Sequence, residues 1–199
     1  MDGSAYPFIE QIEADGVLTQ KSKMEAIHLP HPIWVNDGDK YLAILPEKKL
    51  KISYHISYDH KDLASQYEYM DMNKKNYVKE VSKARTFGFY EEWQVLKDKG
   101  LALGSSMDNT VVYSKDGLMN DNLRYENECV RHKILDLIGG LALLNAPVIG
   151  YVVANKSGHS LDVALMKKIR EVVTNNIFTK KDILHQYRLF EKKYAAILP

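Results

Sequence analysis

In Arg131-His132-Lys133-Ile134-Leu135-Asp136 an imidazole and a carboxylate stand four residues apart. On a helix, positions i and i+4 share a face. His132 and Asp136 could then both reach one divalent metal, and zinc accepts nitrogen and oxygen ligands of this kind. The same spacing also describes an ordinary His–Asp pair on a helix surface. A second segment, Lys156-Ser157-Gly158-His159, follows an apolar run. A histidine at a strand end, on a turn loosened by glycine, can enter a cleft and give up a proton. It can equally cap the backbone where a helix begins. The third segment is Ala84-Arg85-Thr86-Phe87-Gly88-Phe89. A threonine hydroxyl there could stabilise an oxyanion, and an exposed ring could stack on a sugar. Read without function, it is a strand edge leading into a helix, with Phe87 and Phe89 in the core. His28 and His31 also resemble a metal pair, but Pro30 and Pro32 exclude a helix that would align them. They read as loop histidines.

These residues need elements to hold them. The 124–144 stretch carries the longest helical signal, with Ile134, Leu137, Ile138 and Leu141 on one side. Val148 to Ala154 reads as a buried strand after Pro147, and helices are predicted from about Ser160 and about Thr179. Upstream, residues 4–15 read as a short helix with Ser4 as N-cap, Pro7 in its first turn and Gly16 at its end. Ile33–Val35 and Tyr41–Leu45 flank Asn36-Asp37-Gly38-Asp39-Lys40, a hairpin signal. Leu50, Ile52, Tyr54, Ile56 and Tyr58 alternate with polar residues and predict a strand with one buried face. Residues 61–76 are polar and tyrosine-rich and read as loop. Gly88 to Lys99 reads as a helix stopped by Gly100, with Phe89, Trp93 and Leu96 on one face, and Thr110–Tyr113 as a short strand. Strands come first and helices later, so the fold class is α+β rather than alternating α/β.

Composition narrows the function classes. The 199 residues are 45% hydrophobic and 27% charged, as in an ordinary globular chain. Lys and Arg number 27 against 26 Asp and Glu, a net charge of +1, which argues against nucleic-acid binding driven by bulk charge. The single cysteine, Cys129, allows no intramolecular disulfide and no multi-cysteine metal cage. A reducing compartment is the natural reading. The first residues lack a basic n-region and an apolar h-region. A cytoplasmic protein is expected, with peripheral membrane contact left open. No Gly-rich phosphate loop, Gly-x-Gly-x-x-Gly, His-Glu-x-x-His or Gly-x-Ser-x-Gly motif occurs.

Taken together, the segments resemble one family, the zinc-dependent UDP-3-O-acyl-N-acetylglucosamine deacetylase of lipid A biosynthesis. The words that carry the resemblance are Met1-Asp2-Gly3-Ser4-Ala5, Asp37-Gly38-Asp39-Lys40, Ala84 to Phe89, Leu123-Arg124-Tyr125-Glu126, Val130 to Gly139, and Lys156-Ser157-Gly158-His159. They run in the family's order over about residues 1 to 165. The resemblance implies a hydrolase that cleaves the N-acetyl group from a UDP-sugar by zinc-activated water. It implies His132 and Asp136 as two of three zinc ligands, His159 as the catalytic histidine and Thr86 on the oxyanion. Phe87 would pack on the sugar and Tyr58 on uracil. Lys40, Lys133 and Lys156 would line the nucleotide and diphosphate region. The implied fold is a two-layer sandwich, with helices on one face of a mostly antiparallel sheet and a small insert.

The resemblance also implies a division of the chain. Residues 1–23 would be the terminal helix and linker of the family's first domain, and 24–199 its second, zinc-site-bearing domain. The first domain would supply the third zinc ligand, a histidine, and a glutamate base, neither of which has a matching motif here. Where the family has an aspartate that orients the catalytic histidine, this chain has Gly140. The expectation is a C-terminal portion that is inactive alone and partnered by the missing first domain. The alternative is a catalytically inactive fragment or descendant that binds UDP-sugar or a protein partner.

Overall fold

The computed structural model describes residues 3–175. The element order is α1 (Tyr6–Asp15), β1 (Ile27–His28), β2 (Ile33–Asp37), β3 (Lys40–Leu45), β4 (Lys51–Ser57), β5 (Ser65–Asp71), α2 (Lys74–Asn76), β6 (Thr86–Phe89), α3 (Tyr90–Asp98), β7 (Thr110–Ser114), β8 (Gly117–Leu118), α4 (Glu128–Ala142), β9 (Val148–Ile149), β10 (Tyr151–Asn155) and α5 (His159–Asn175). A π-helical turn, Tyr77–Val81, extends α2. The α+β class holds. The chain divides into two compact units, and β4, β5 and α4 give residues to both. No helix among the described residues is long and apolar enough to cross a membrane.

The first unit takes residues up to Lys21, 54–69 and 73–136. Its sheet is β6-β7-β8, with β6 parallel to β7 and β7 antiparallel to β8. Val111, Val112 and Tyr113 of β7 are buried, as are Val130 and Ile134 on the inner side of α4. Each such aliphatic side chain contributes about 1.5–3 kcal/mol on burial. Helix α1 starts with Pro7 in its first turn, as expected, but its N-cap is Ala5 and no side chain caps it.

The second unit takes 22–53, 70–72 and the chain from Leu137. Its strands run in the order β2-β3-β10, with β2/β3 and β3/β10 antiparallel. Asp37 pairs with Lys40, so β2 and β3 turn on Gly38-Asp39. Gly38 has φ +59, the left-handed conformation that such a two-residue turn requires. Helix α5 lies against β2 and β3. Leu161, Leu165 and Ile169 recur every fourth residue and are buried, as are Ile33, Val35, Leu42 and Ile44. Between β9 and β10, Gly150 admits no side chain, because a Cβ there would stand 2.7 Å from Ile44 Cγ1.

Three expectations need correction. Residues 65–71, read as loop, form β5. Its inward positions include Gln66 and Glu68, which bind Val130 N and Arg131 of α4. A strand whose inner face is polar shows no apolar alternation. Gly88 and Phe89 belong to β6 rather than to the following helix. That helix, α3, buries none of its residues fully, and Leu96 is exposed. The helix expected from Thr179 lies outside the described residues.

Candidate metal and active site

Helix α4 carries a stripe at i+4 spacing: Glu128, His132, Asp136 and Gly140. Within the first unit, His132 Nε2 lies 3.3 Å from Asp136 Oδ1. His132 Nδ1 is 3.1 Å from the Ala84 carbonyl oxygen. A carbonyl only accepts, so Nδ1 carries a proton and donates it. In its neutral form the ring turns an unprotonated Nε2 toward Asp136. Two acceptors facing each other at this distance need a cation or a proton between them. Two ligands about 2.05 Å from a tetrahedral zinc are about 3.4 Å apart. The separation of the His132 and Asp136 atoms is therefore that of two ligands of one zinc ion. They are two donors only, and no group of three or more His, Cys, Asp or Glu gathers as a metal site among the described residues.

The other carboxylate oxygen of Asp136 accepts from Lys133 Nζ at 3.2 Å. Lys133 is buried. Its charge is committed to the same carboxylate that faces His132, which makes it a partner of the metal pair before it is a partner of any phosphate.

The segment expected to hold the oxyanion is clamped to α4 through one peptide group. The Ala84 carbonyl takes the His132 proton, and the adjoining Arg85 N–H donates to Glu128 Oε1 at 2.8 Å. The Arg85 guanidinium binds the same carboxylate, Nε to Oε1 at 3.0 Å and Nη2 to Oε2 at 3.2 Å. Arg124 N adds a bond to Oε2 at 2.7 Å. Glu128 is fully buried. Beyond the clamp, Thr86 is half-buried on β6 opposite Thr110. Phe87 meets Tyr58 edge to face, with ring centroids 5.7 Å apart, and Phe89 lies 5.6 Å from the same ring. Burial pushes the Tyr58 hydroxyl pKa up. The first unit thus gathers His132, Lys133, Asp136, Thr86, Phe87 and Tyr58.

Lys40, Lys156 and His159 belong to the second unit. Lys156 adopts φ +50 just beyond β10, and its Nζ lies 2.6 Å from Asp39 Oδ2 in the β2–β3 turn. Asn155 Nδ2 donates to the Asp39 carbonyl. The Lys156 hydrogen bond holds the Asp39 carboxyl below the usual carboxylate range. Lys40 is exposed at the start of β3. His159 opens α5 with its side chain 80% exposed, and Asp162 Oδ2 stands 3.8 Å from its Nδ1.

Four contributors escaped the sequence reading. The Ala84 carbonyl and the Arg85–Glu128 pair join segments more than forty residues apart, and no local spacing reports them. Asp39 was visible only as part of a turn. Asp162 sits three residues after His159, a spacing that places both on one helical face.

The chain matches the family described as UDP-3-O-acyl N-acetylglycosamine deacetylase over residues 1–171. It is similar to a Leptospira biflexa protein named UDP-3-O-acyl-N-acetylglucosamine deacetylase, 45% identical over 201 aligned residues that take in 98% of this chain and 65% of the relative. A protein of the same name from Saccharophagus degradans is 46% identical over 165 residues, 81% of this chain and 54% of the relative. Another from Syntrophotalea carbinolica is 41% identical over 170 residues, 85% of this chain and 55% of the relative. The chain spans less than two thirds of the length of each of these relatives.

Proposed function

Because the chain belongs to the UDP-3-O-acyl N-acetylglycosamine deacetylase family, we propose that it is the zinc-site-bearing part of a cytoplasmic hydrolase of lipid A biosynthesis. The reaction removes the N-acetyl group of UDP-3-O-acyl-N-acetylglucosamine as acetate. The observation that carries the reading is the convergence of His132 Nε2 and Asp136 Oδ1, with His132 fixed from behind by the Ala84 carbonyl. A histidine held through its far nitrogen is the usual arrangement of a metal ligand.

His132 and Asp136 would hold a zinc ion, which would supply an activated water and a polarised amide carbonyl. The chain's own residues do the rest. Thr86 offers its hydroxyl to the oxyanion that forms on the carbonyl. His159 protonates the departing sugar amine, since an amide anion is too poor a leaving group. Phe87 packs on the sugar and Tyr58 on the uracil ring. Lys40, Lys133 and Lys156 meet the diphosphate as point charges. In this proposal residues 24–199 form the second, zinc-site-bearing domain, and residues 1–23 belong to a first domain that adds the third metal ligand and the general base.

Zinc titration of the 199-residue chain by calorimetry tests the reading. Weak binding at one site is expected, lost in His132→Ala and in Asp136→Ala. Binding indifferent to both substitutions overturns it. Acetate release from UDP-3-O-acyl-N-acetylglucosamine by the metal-loaded chain tests the division of labour. Loss of a general base costs about 10²–10⁴-fold, so turnover far below an enzyme-like rate is expected. Robust turnover abolished by a chelator overturns the need for a first domain.

A further inference from the structure

The first turn of α5 buries a carboxylate that the chemistry above does not use. Asp162 is 4% exposed. Its Oδ1 accepts from Ser157 Oγ at 3.2 Å, and its backbone N–H donates to the Gly158 carbonyl at 3.0 Å. Its Oδ2 is the atom that stands 3.8 Å from His159 Nδ1. A buried carboxylate is costly unless donors or a cation meet it. Ser157 donates to one oxygen, and the imidazole nitrogen is the ring atom that stands beside the other.

The residue of α4 beside Asp162 is Gly140, where a Cβ would come no nearer than 4.0 Å to Asp162 Cβ. No side chain from α4 competes for His159 at that point. The acidic neighbour comes from α5 itself.

We propose that Asp162 is the positioning residue for His159. Its Oδ2 is the acceptor toward which His159 Nδ1–H donates, which orients the ring so that Nε2 faces outward as the atom available to a substrate. A separation of 3.8 Å is an ion-pair distance longer than a hydrogen bond. Contacts of this sort are commonly long in a free enzyme and shorten when substrate binds. The proposal rests on the reading of His159 as the proton donor.

The test is the tautomer of His159, read from ¹⁵N shifts of the ring in the full chain at a pH where the imidazole is neutral. The expected native form carries its proton on Nδ1. In Asp162→Asn, which keeps the shape and a partner for Ser157, the Nδ1–H majority is lost in favour of Nε2–H. Adding Gly140→Asp to Asp162→Asn returns a carboxylate from the α4 side and restores the Nδ1–H majority. A change of fold without a change of charge would not be repaired in this way, and amide spectra of each variant check the fold. A native ring that already prefers Nε2–H overturns the proposal without any variant. So does a tautomer that is the same in Asp162→Asn as in the native chain, or one that Gly140→Asp fails to restore. The readout needs neither zinc nor substrate. Its failure leaves the metal reading standing, and loss of the metal reading leaves it interpretable.

Discussion

Substituting Glu128→Gln tests the clamp that fixes His132. The Glu128 carboxylate collects four bonds: from Arg85 N, Arg85 Nε, Arg85 Nη2 and Arg124 N, at 2.8, 3.0, 3.2 and 2.7 Å. Glutamine keeps the volume but turns one oxygen into an NH₂. Whichever way the amide is turned, that NH₂ meets two N–H donors. Two of the four bonds are lost, and the Arg85 guanidinium, 8% exposed, keeps one amide oxygen and the Asn122 carbonyl but no negative charge to pair with. Breaking a buried pair from one side costs about 3–5 kcal/mol. At about 2 kcal/mol per molar urea, the unfolding midpoint falls by about 1.5–2.5 M. Replacing both partners, Arg85→Met with Glu128→Met, recovers much of that loss, because no charge is left buried alone. The Arg85 N–H shares its peptide group with the Ala84 carbonyl that holds His132. Zinc affinity of Glu128→Gln therefore falls about 10–100-fold, as for other residues that support a ligand. A midpoint shift under about 0.5 M, the scale of an exposed ion pair, would refute the reasoning. So would unchanged zinc affinity in a folded variant.

The Asp39–Lys156 pair is exposed, so its effect is modest. Asp39→Asn releases the Lys156 ammonium, and UDP affinity measured by calorimetry rises, by no more than about fivefold. Unchanged affinity would remove Lys156 from the diphosphate site. The depressed Asp39 pKa makes the pair's contribution present above the usual carboxylate range and lost as pH falls through the lowered value. Tightening should therefore be seen at neutral pH and fade in acid, where the wild-type Asp39 is itself protonated. Cys129 gives the third expectation. Burial pushes its thiol from 9.0 up to about 12, with the Tyr113 hydroxyl 3.4 Å from its sulfur. The native chain should be inert to thiol reagents at neutral pH and react once unfolded. A raised acid pKa means stability is intact below about pH 9 and lost as pH rises toward about 12. Urea midpoints measured across that window should decline, and less so in Cys129→Ala. Prompt labelling of the folded chain would contradict the burial.

The elements legible in the sequence are those whose periodicity is set by one apolar face. The Gly38 turn, the alternation through Ile52, Tyr54 and Ile56, and α4 are all of this kind. β5 was not legible because its inward residues are Gln66 and Glu68, chosen to satisfy Val130 N and Arg131 rather than to fill a core. The His132–Asp136 pair was legible because an α-helix converts spacing into proximity. Its tautomer was not, since the acceptor is a backbone carbonyl and any residue type at position 84 presents one. Lys133 shows the limit from the other side. Its charge suggests a phosphate, yet its nearest carboxylate is three residues along the same helix.

Two of the segments that looked chemically suggestive one by one, 84–89 and 131–136, are joined by the geometry of a single helix. Four residues of α-helix rise about 6 Å. Glu128 and His132 are separated by that distance, and one trans peptide, Ala84–Arg85, bridges them with its two ends. A peptide is rigid, with its C=O and N–H directed to opposite sides. It can therefore transmit position from a buried ion pair to an imidazole in a way that two flexible side chains could not. The next turn carries Asp136, where Lys133 and His132 meet the two carboxylate oxygens separately. One turn further the stripe ends at Gly140, and the carboxylate beside that gap belongs to α5. Each polar side chain of the stripe thus has its own partner, an arginine for Glu128, a carbonyl for His132 and a lysine for Asp136. The one turn with no side chain of its own lies beside the acid proposed to hold His159.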